Sequence, residues 1–227
     1  EWWPNTGHGT FGARLLIGTC PEPRRLTPGD LNNDGVPDLV VGCSNREDPN
    51  PSLLVFLNVN SAAAWTRIAV FGSIAPSEYF SIGLGGIDLD GYVDVVFSAS
   101  TLQTLAWSRN LAGTAFAPPT TIELLGGVDE PLGIALCDAN GDGGLDLVAG
   151  ILVDSTSSRV SVYMQTGPGT GLFAPPVDYG VFDRPFAVDC DDLTGDGMPD
   201  IALGDRDDDD IYWFRNLGSG TFGSATI

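Results

Sequence analysis

One nine-residue phrase, written four times, constrains this chain more than anything else in it: acidic and amide side chains alternate around a glycine, and a short apolar run comes directly after. The copies read Asp30-Leu-Asn32-Asn-Asp34-Gly-Val36-Pro-Asp38, Gly86-Ile-Asp88-Leu-Asp90-Gly-Tyr-Val-Asp94, Asp138-Ala-Asn140-Gly-Asp142-Gly-Gly144-Leu-Asp146 and Asp192-Leu-Thr194-Gly-Asp196-Gly-Met198-Pro-Asp200. Their first positions lie 56, 52 and 54 residues apart. A regular period of this size marks one structural unit repeated along the chain.

The spacing also predicts chemistry. Oxygen-bearing side chains at positions 1, 3 and 5, with glycine at position 6, surround one point while the backbone turns sharply. Hard divalent cations such as Ca²⁺ take about six to eight oxygens, carboxylates and backbone carbonyls among them. Position 7 (Val36, Gly144 or Met198) can add its carbonyl, and the aspartate at position 9 closes the shell. An EF-hand would need a glutamate at position 12 and flanking helices. Position 9 instead leads into Leu39-Val-Val, Val95-Val-Phe, Leu147-Val-Ala or Ile201-Ala-Leu, which is strand material. The same residue types favour turns without any metal. Recurrence of the whole phrase decides for calcium, with three strong sites. The second copy is degenerate, because Gly86 stands where the first ligand belongs. Its remaining ligands Asp88, Asp90 and Asp94 are expected to bind loosely, or with a water in place of the missing carboxylate.

A second motif recurs out of phase with the first. It pairs an aromatic-rich strand with an amide residue (Asn5, Asn58, Asn110, Gln165 and Asn216), with a Gly-rich turn and a further strand after it in most copies. The unit is therefore four short strands, one on each side of the acidic loop and two around the amide turn. Four antiparallel strands per period of roughly 40–50 residues describe a propeller blade. Apolar runs such as Leu39-Val-Val suit strands buried on both faces, as stacked blades require. Trp2, Trp107 and Trp213, at matching positions, are expected to pack between blades. The expected fold is all-β: a half-blade over 1–20, then four-stranded antiparallel blades near 21–75, 76–127, 128–181 and 182–227 of one β-propeller domain.

The two motifs together, Asp-x-Asn-x-Asp-Gly-x-Pro-Asp-Leu-Val in the first loop and Trp-x-Arg-Asn-x-Gly-x-Gly-x-Phe-Gly at Trp213–Gly223, resemble the FG-GAP/VCBS-type repeats. Such repeats build the propeller of integrin alpha subunits and of many secreted proteins. The resemblance covers essentially the whole chain. It implies Ca²⁺ held in the hairpin that joins the first two strands of a blade, and it implies no single activity. A propeller of this kind usually has seven blades, or about 380 residues at this period. Five amide turns against four acidic loops, in a chain that starts in mid-motif, lead us to expect part of a longer polypeptide or a processed product. A closed ring of four or five blades and pairing of the half-blade with a second copy are the rivals.

The net charge is -20, with 30 acidic residues against 10 basic ones. Four bound Ca²⁺ would offset roughly eight of these charges, so much of the acidity belongs to the loops themselves. This balance argues against nucleic acid and anionic membranes as partners. No apolar run is long enough to span a membrane. The dense acidic run Asp205 and Asp207–Asp210 reads as a solvated turn or, more sharply, as a further cation site. Four cysteines without a Cys-x-x-Cys pair, and a single histidine (His8), argue for two disulfides over a zinc site. Cys20 and Cys43 flank one hairpin, whereas Cys137 and Cys190 stand just ahead of successive loops and could join neighbouring blades. The expected location is extracellular or at the cell surface, where calcium is millimolar.

Three functions suit such a chain unequally. A non-catalytic calcium-binding module for adhesion, surface or filament assembly, with protein or glycan partners or self-association through the half-blade, fits the repeats. A lectin would use exposed aromatics such as Trp65, Tyr79, Tyr92 and Tyr179. An enzyme is disfavoured by the lone histidine and the absence of lysine. Asp154–Ser158 offers hydroxyls for O-glycans.

Overall fold

A computed structural model describes residues 1–43, 53–59, 64–70, 79–100, 102–127, 129–154 and 157–227, without the side chains of Tyr79, Phe80 and Val181. Part of the hydroxyl-rich stretch (155–156) and the Tyr79 side chain therefore lie outside the described residues. Among the described residues there is no helix, and seventeen strands form five antiparallel sheets.

The leading hairpin pairs β1 (Asn5–Gly7) with β2 (Thr10–Phe11). The first full sheet runs in the order β3 (Pro23–Gly29), β4 (Asp38–Cys43), β5 (Leu53–Val59), β6 (Ala64–Ala69). The second is β7 (Tyr79–Gly85), β8 (Asp94–Ala99), β9 (Thr104–Ser108), β10 (Thr120–Leu124). The third is β11 (Glu130–Cys137), β12 (Asp146–Asp154), β13 (Ser157–Tyr163), β14 (Val177–Phe182). The last joins β15 (Pro185–Asp191), β16 (Asp200–Asp205) and β17 (Asp210–Phe214), and Trp213 exchanges backbone hydrogen bonds with Thr226 where a fourth strand would lie. Each acidic loop connects the first two strands of its sheet, and strand order follows chain order. This is the repeated blade that the period predicts.

The cores lie between sheets, and the pleat explains how one strand serves two of them. Successive side chains point to opposite faces. Val95 and Phe97 pack toward the first sheet with Val40, Leu53 and Val55, while Val96 packs toward the third with Leu147, Ala149 and Ile151. Val148, between Leu147 and Ala149, turns instead to the last sheet and meets Ile201, Leu203 and Phe214. Burial on both faces is why these strands read as unbroken apolar runs.

The first strands of the sheets lie side by side in the order β3, β7, β11, β15. The third and last sheets approach closely enough to need glycine: a Cβ on Gly133 of β11 would sit 2.6 Å from the Phe186 carbonyl oxygen, and one on Gly150 of β12 2.2 Å from that of Pro185. Trp107 does pack between blades, as expected, donating its indole N–H to the Gly171 carbonyl of the next sheet's turn at 3.1 Å. Two disulfides form, Cys20–Cys43 within the first sheet and Cys137–Cys190 between β11 and β15, and none of the four cysteines is free. The second staples neighbouring blades directly beneath their loops.

Candidate metal centre

The four acidic loops share one backbone. Position 4 is left-handed in each (Asn33 φ 59°, Leu89 56°, Gly141 76°, Gly195 75°), and so is position 6 (Gly35 82°, Gly91 95°, Gly143 90°, Gly197 85°). Nothing stands within 4 Å of a Cβ at any of the position-6 glycines, so conformation and not space demands them there.

Within this frame the side chains turn onto the loop's own amides. Asp138 accepts the N–H groups of Gly141, Asp142 and Gly143, and Asp192 accepts those of Gly195, Asp196 and Gly197. Asp30 takes the amides of Asp34 and Gly35. Position 5 holds the amide of position 7 in every copy: Val36 on Asp34, Tyr92 on Asp90, Gly144 on Asp142, Met198 on Asp196. Asn32 and Asn140 accept the following Asp34 and Asp142 amides and donate to the same aspartates. As they stand, no three such acids converge as a ready cluster among the described residues.

Position 9 does something the sequence did not announce. Asp38, Asp94, Asp146 and Asp200 are all 0 % exposed. One oxygen of each takes the amide of the residue that begins the amide turn: Asn58, Asn110, Gln165 and Asn216, at 2.7, 2.8, 2.8 and 2.7 Å. The other oxygen takes the position-2 amide in three copies, from Leu31, Ile87 and Ala139. In the fourth copy, Asp200 Oδ2 is buried without a donor. Burial raises the pKa of Asp94 and of Asp146 to about 6, against the pull of those amides, and the neighbouring loop aspartates push the same way. Asp38 is raised for the same reasons.

The amide turns complete the site, and their partners were missed from the sequence. Asn110 donates its side-chain N–H to the carbonyl of Val93 in its own loop and of Leu31 in the preceding one. Gln165 does so to Leu145 and Ile87, and Asn216 to Pro199 and Ala139. Each latch therefore ties position 8 of one loop to position 2 of the loop before it, and the latch residue itself is 77 to 79 residues from that position 2. Recurrence of the amide at a fixed interval was the available signal. The turns nestle on the preceding loop so closely that a Cβ on Gly113, itself at φ 73°, would lie 2.6 Å from the Asn32 backbone.

Two arginines reach the loops. Arg109 places Nε 2.5 Å from Asp88 and Nη2 3.0 Å from Asp90, and Arg215 places Nη2 3.1 Å from Asp196. The Tyr92 amide, joined by Arg109, holds the Asp90 carboxyl below its usual range, and Arg215 does the same for Asp196.

The first, third and fourth loops fit a hard cation. Their ligand sets at positions 1, 3, 5 and 9 are all oxygen-bearing, and in the fourth the position-9 carboxylate has an orphaned buried oxygen. The second does not fit, since it lacks position 1 and a guanidinium already lies on two of its acids. In the acidic run of the last sheet, buried Asp205 accepts the amides of Asp183, Arg184 and Asp207, which makes it a turn brace. Of the aromatics considered for sugar stacking, Tyr179 packs edge-on to Phe214 and Phe222, Trp65 joins the first sheet's core, and Tyr92 is half-buried in the second loop.

Among solved structures the chain is similar to a GH62 hydrolase in complex with xylotriose, at a TM-score of 0.53 and 10% identity over 90% of this chain and 69% of that one. The likeness bears on the fold alone. It also matches the V. cholerae biofilm matrix protein Bap1 at a TM-score of 0.46 and 17% identity, covering 91% of this chain but only 39% of that one. No curated protein matches the sequence. The model of the FG-GAP-like repeat matches residues 1–41, 86–149 and 138–203, well over half of the chain. The chain belongs to the FG-GAP-like repeat family.

Proposed function

We propose that this chain is a non-catalytic extracellular module in which calcium fixes the blade hairpins, and that it serves adhesion, surface or filament assembly through protein or glycan contacts. The carrying observation is the fourth loop, where a buried carboxylate oxygen, Asp200 Oδ2, has no donor and the sequence supplies three further oxygen-bearing side chains at loop positions 1, 3 and 5. Calcium would be held there by Asp192, Thr194, Asp196, Asp200 and the Met198 carbonyl. The first site would use Asp30, Asn32, Asp34, Asp38 and the Val36 carbonyl, and the third Asp138, Asn140, Asp142, Asp146 and the Gly144 carbonyl. The ion supplies positive charge to loops whose acids otherwise repel one another, so binding adds to folding stability.

Two disulfides favour an oxidising compartment, and no helix among the described residues is long and apolar enough to cross a membrane. A non-catalytic role is supported by how the carboxylates are used: those at fixed intervals hold loop backbone, and His8 sits in the exposed turn of the leading hairpin. The test is thermal unfolding in millimolar calcium and in EDTA. Each site at calcium a hundredfold above its Kd adds about 2.7 kcal/mol, so three sites should raise the midpoint by about 15 °C or more. An unchanged midpoint rejects the reading. A glycan array separates sugar-binding from protein-binding versions of it.

A further inference from the structure

The second loop stands out from the other three. It has the same left-handed backbone at positions 4 and 6, yet position 4 is Leu89, a residue for which φ 56° is strained. Position 1 is Gly86, which contributes no oxygen side chain. Something other than a full ligand set holds this loop in shape.

We propose that the second loop takes no calcium, and that Arg109 serves there as a built-in cation. This rests on the reading of the other three loops as calcium sites. The Arg109 guanidinium spans the loop, with Nε on Asp88 and Nη2 on Asp90. All six carboxylate oxygens of the loop then have donors. Asp88 Oδ1 accepts the Asp90 amide, Asp90 Oδ1 the Tyr92 amide, Asp94 Oδ1 the Asn110 amide, and Asp94 Oδ2 the amides of Ile87 and Asp88. The two oxygens left over are the ones on Arg109.

A tethered cation has an advantage over a free one. Its effective concentration at the loop is of millimolar order or above, comparable with calcium outside cells. A planar guanidinium also matches two carboxylates with directed hydrogen bonds, which a point charge does not. For Ca²⁺ to enter, it must expel the guanidinium or sit beside a like charge, with one ligand fewer than its sister loops offer. The first and third blades carry Leu57 and Met164 where the second carries Arg109, so their loops have no such occupant. Neighbouring blades brace the second loop further. Asn33 donates to the Gly91 carbonyl at 2.9 Å, and Gln165 to that of Ile87 at 3.3 Å. The molecule thus has one calcium-insensitive loop set between two responsive ones.

The test counts calcium bound per chain, by atomic absorption after equilibrium dialysis of the intact protein, and reads midpoints in EDTA. Wild-type protein should hold three ions. The double variant Gly86→Asp/Arg109→Leu should hold four, since it restores the position-1 ligand and removes the resident cation. Four ions on the wild type would overturn the inference and leave the calcium reading standing, whereas none would remove both. In EDTA, Arg109→Leu should lower the midpoint by about 2–4 °C, and Arg215→Leu by less, because Arg215 meets only one acid. This single variant keeps the question open to refutation if the double variant does not fold: an EDTA midpoint equal to wild type overturns the role given to Arg109.

Discussion

The second and fourth loops carry the same arginine, one residue ahead of the same asparagine, and put it to different use. Arg109 bridges positions 3 and 5 of a loop whose first position is glycine. Arg215 touches only position 5 of a loop whose first position is Asp192, itself holding the turn through three amides. In the second loop the position-9 aspartate is saturated with donors, and in the fourth one of its oxygens has none. The two loops differ at positions 1 and 3: Gly86 and Asp88 in the second give Arg109 two acids to bridge, whereas Asp192 and Thr194 in the fourth leave Arg215 on one. Counting acids would miss this, since each of the two has three aspartates and one arginine.

The largest expected effects come from breaking the two position-9 aspartates. Asp94→Ala strips acceptors from three amides in a buried place, which should cost about 3–5 kcal/mol. The cost should be equal in calcium and in EDTA. Asp200→Ala removes the acceptor of one amide, the Asn216 N–H, for about 1–3 kcal/mol in EDTA, and should cost distinctly more in calcium. Urea unfolding of both variants under both conditions gives the four values. Equal calcium dependence of the two variants would erase the contrast between the loops.

Next in size are the latches, which join different pairs of loops. Removing any of Asn110, Gln165 or Asn216 as alanine should cost about 1–3 kcal/mol, because each leaves carbonyls without their side-chain donor. Their effects on calcium should differ. Asn216→Ala disturbs the third and fourth loops and should weaken two sites. Asn110→Ala and Gln165→Ala each disturb the second loop and one neighbour, so each should weaken one site only. Calorimetric titration that finds two weakened sites in all three variants would show that the second loop binds calcium after all.

How much of this was legible depends on range along the chain. The acidic spacing, the period, the doubly buried apolar runs and both disulfide pairs were readable because each is local or repeats. The position-9 aspartate was readable as part of the loop motif but not as an acceptor for the Asn58 or Asn110 amide, since that contact spans 20 or 16 residues across two strands. The latch from Asn110 to Leu31 crosses 79 residues and exists only once blades stack. Arg109 was in plain view next to Asn110. Its meaning depended on laying it across Asp88 and Asp90 in a loop that begins with Gly86, which the fold does and the one-dimensional pattern does not.

The smallest effect is a pH dependence that should change sign with calcium. Burial raises Asp94 and Asp146 to about 6, above the usual carboxylate range. A raised acid binds its proton more tightly in the folded state than in the unfolded one. Its contribution is full below the unfolded pKa of about 3.9 and is lost as pH rises through about 6. In EDTA the midpoint should therefore be higher at pH 5 than at pH 7, by about 2–4 °C. Asp90 and Asp196 are lowered instead, so their stabilisation is lost only in more acidic solution and does not oppose this window. In saturating calcium the order should reverse, because the ion binds carboxylates in their charged form and protons compete with it at pH 5. A midpoint in EDTA that is flat or rising from pH 5 to pH 7 would mean that the buried aspartates stay ionised on their amides. The strength of those amide cradles, rather than burial, would then govern all four loops.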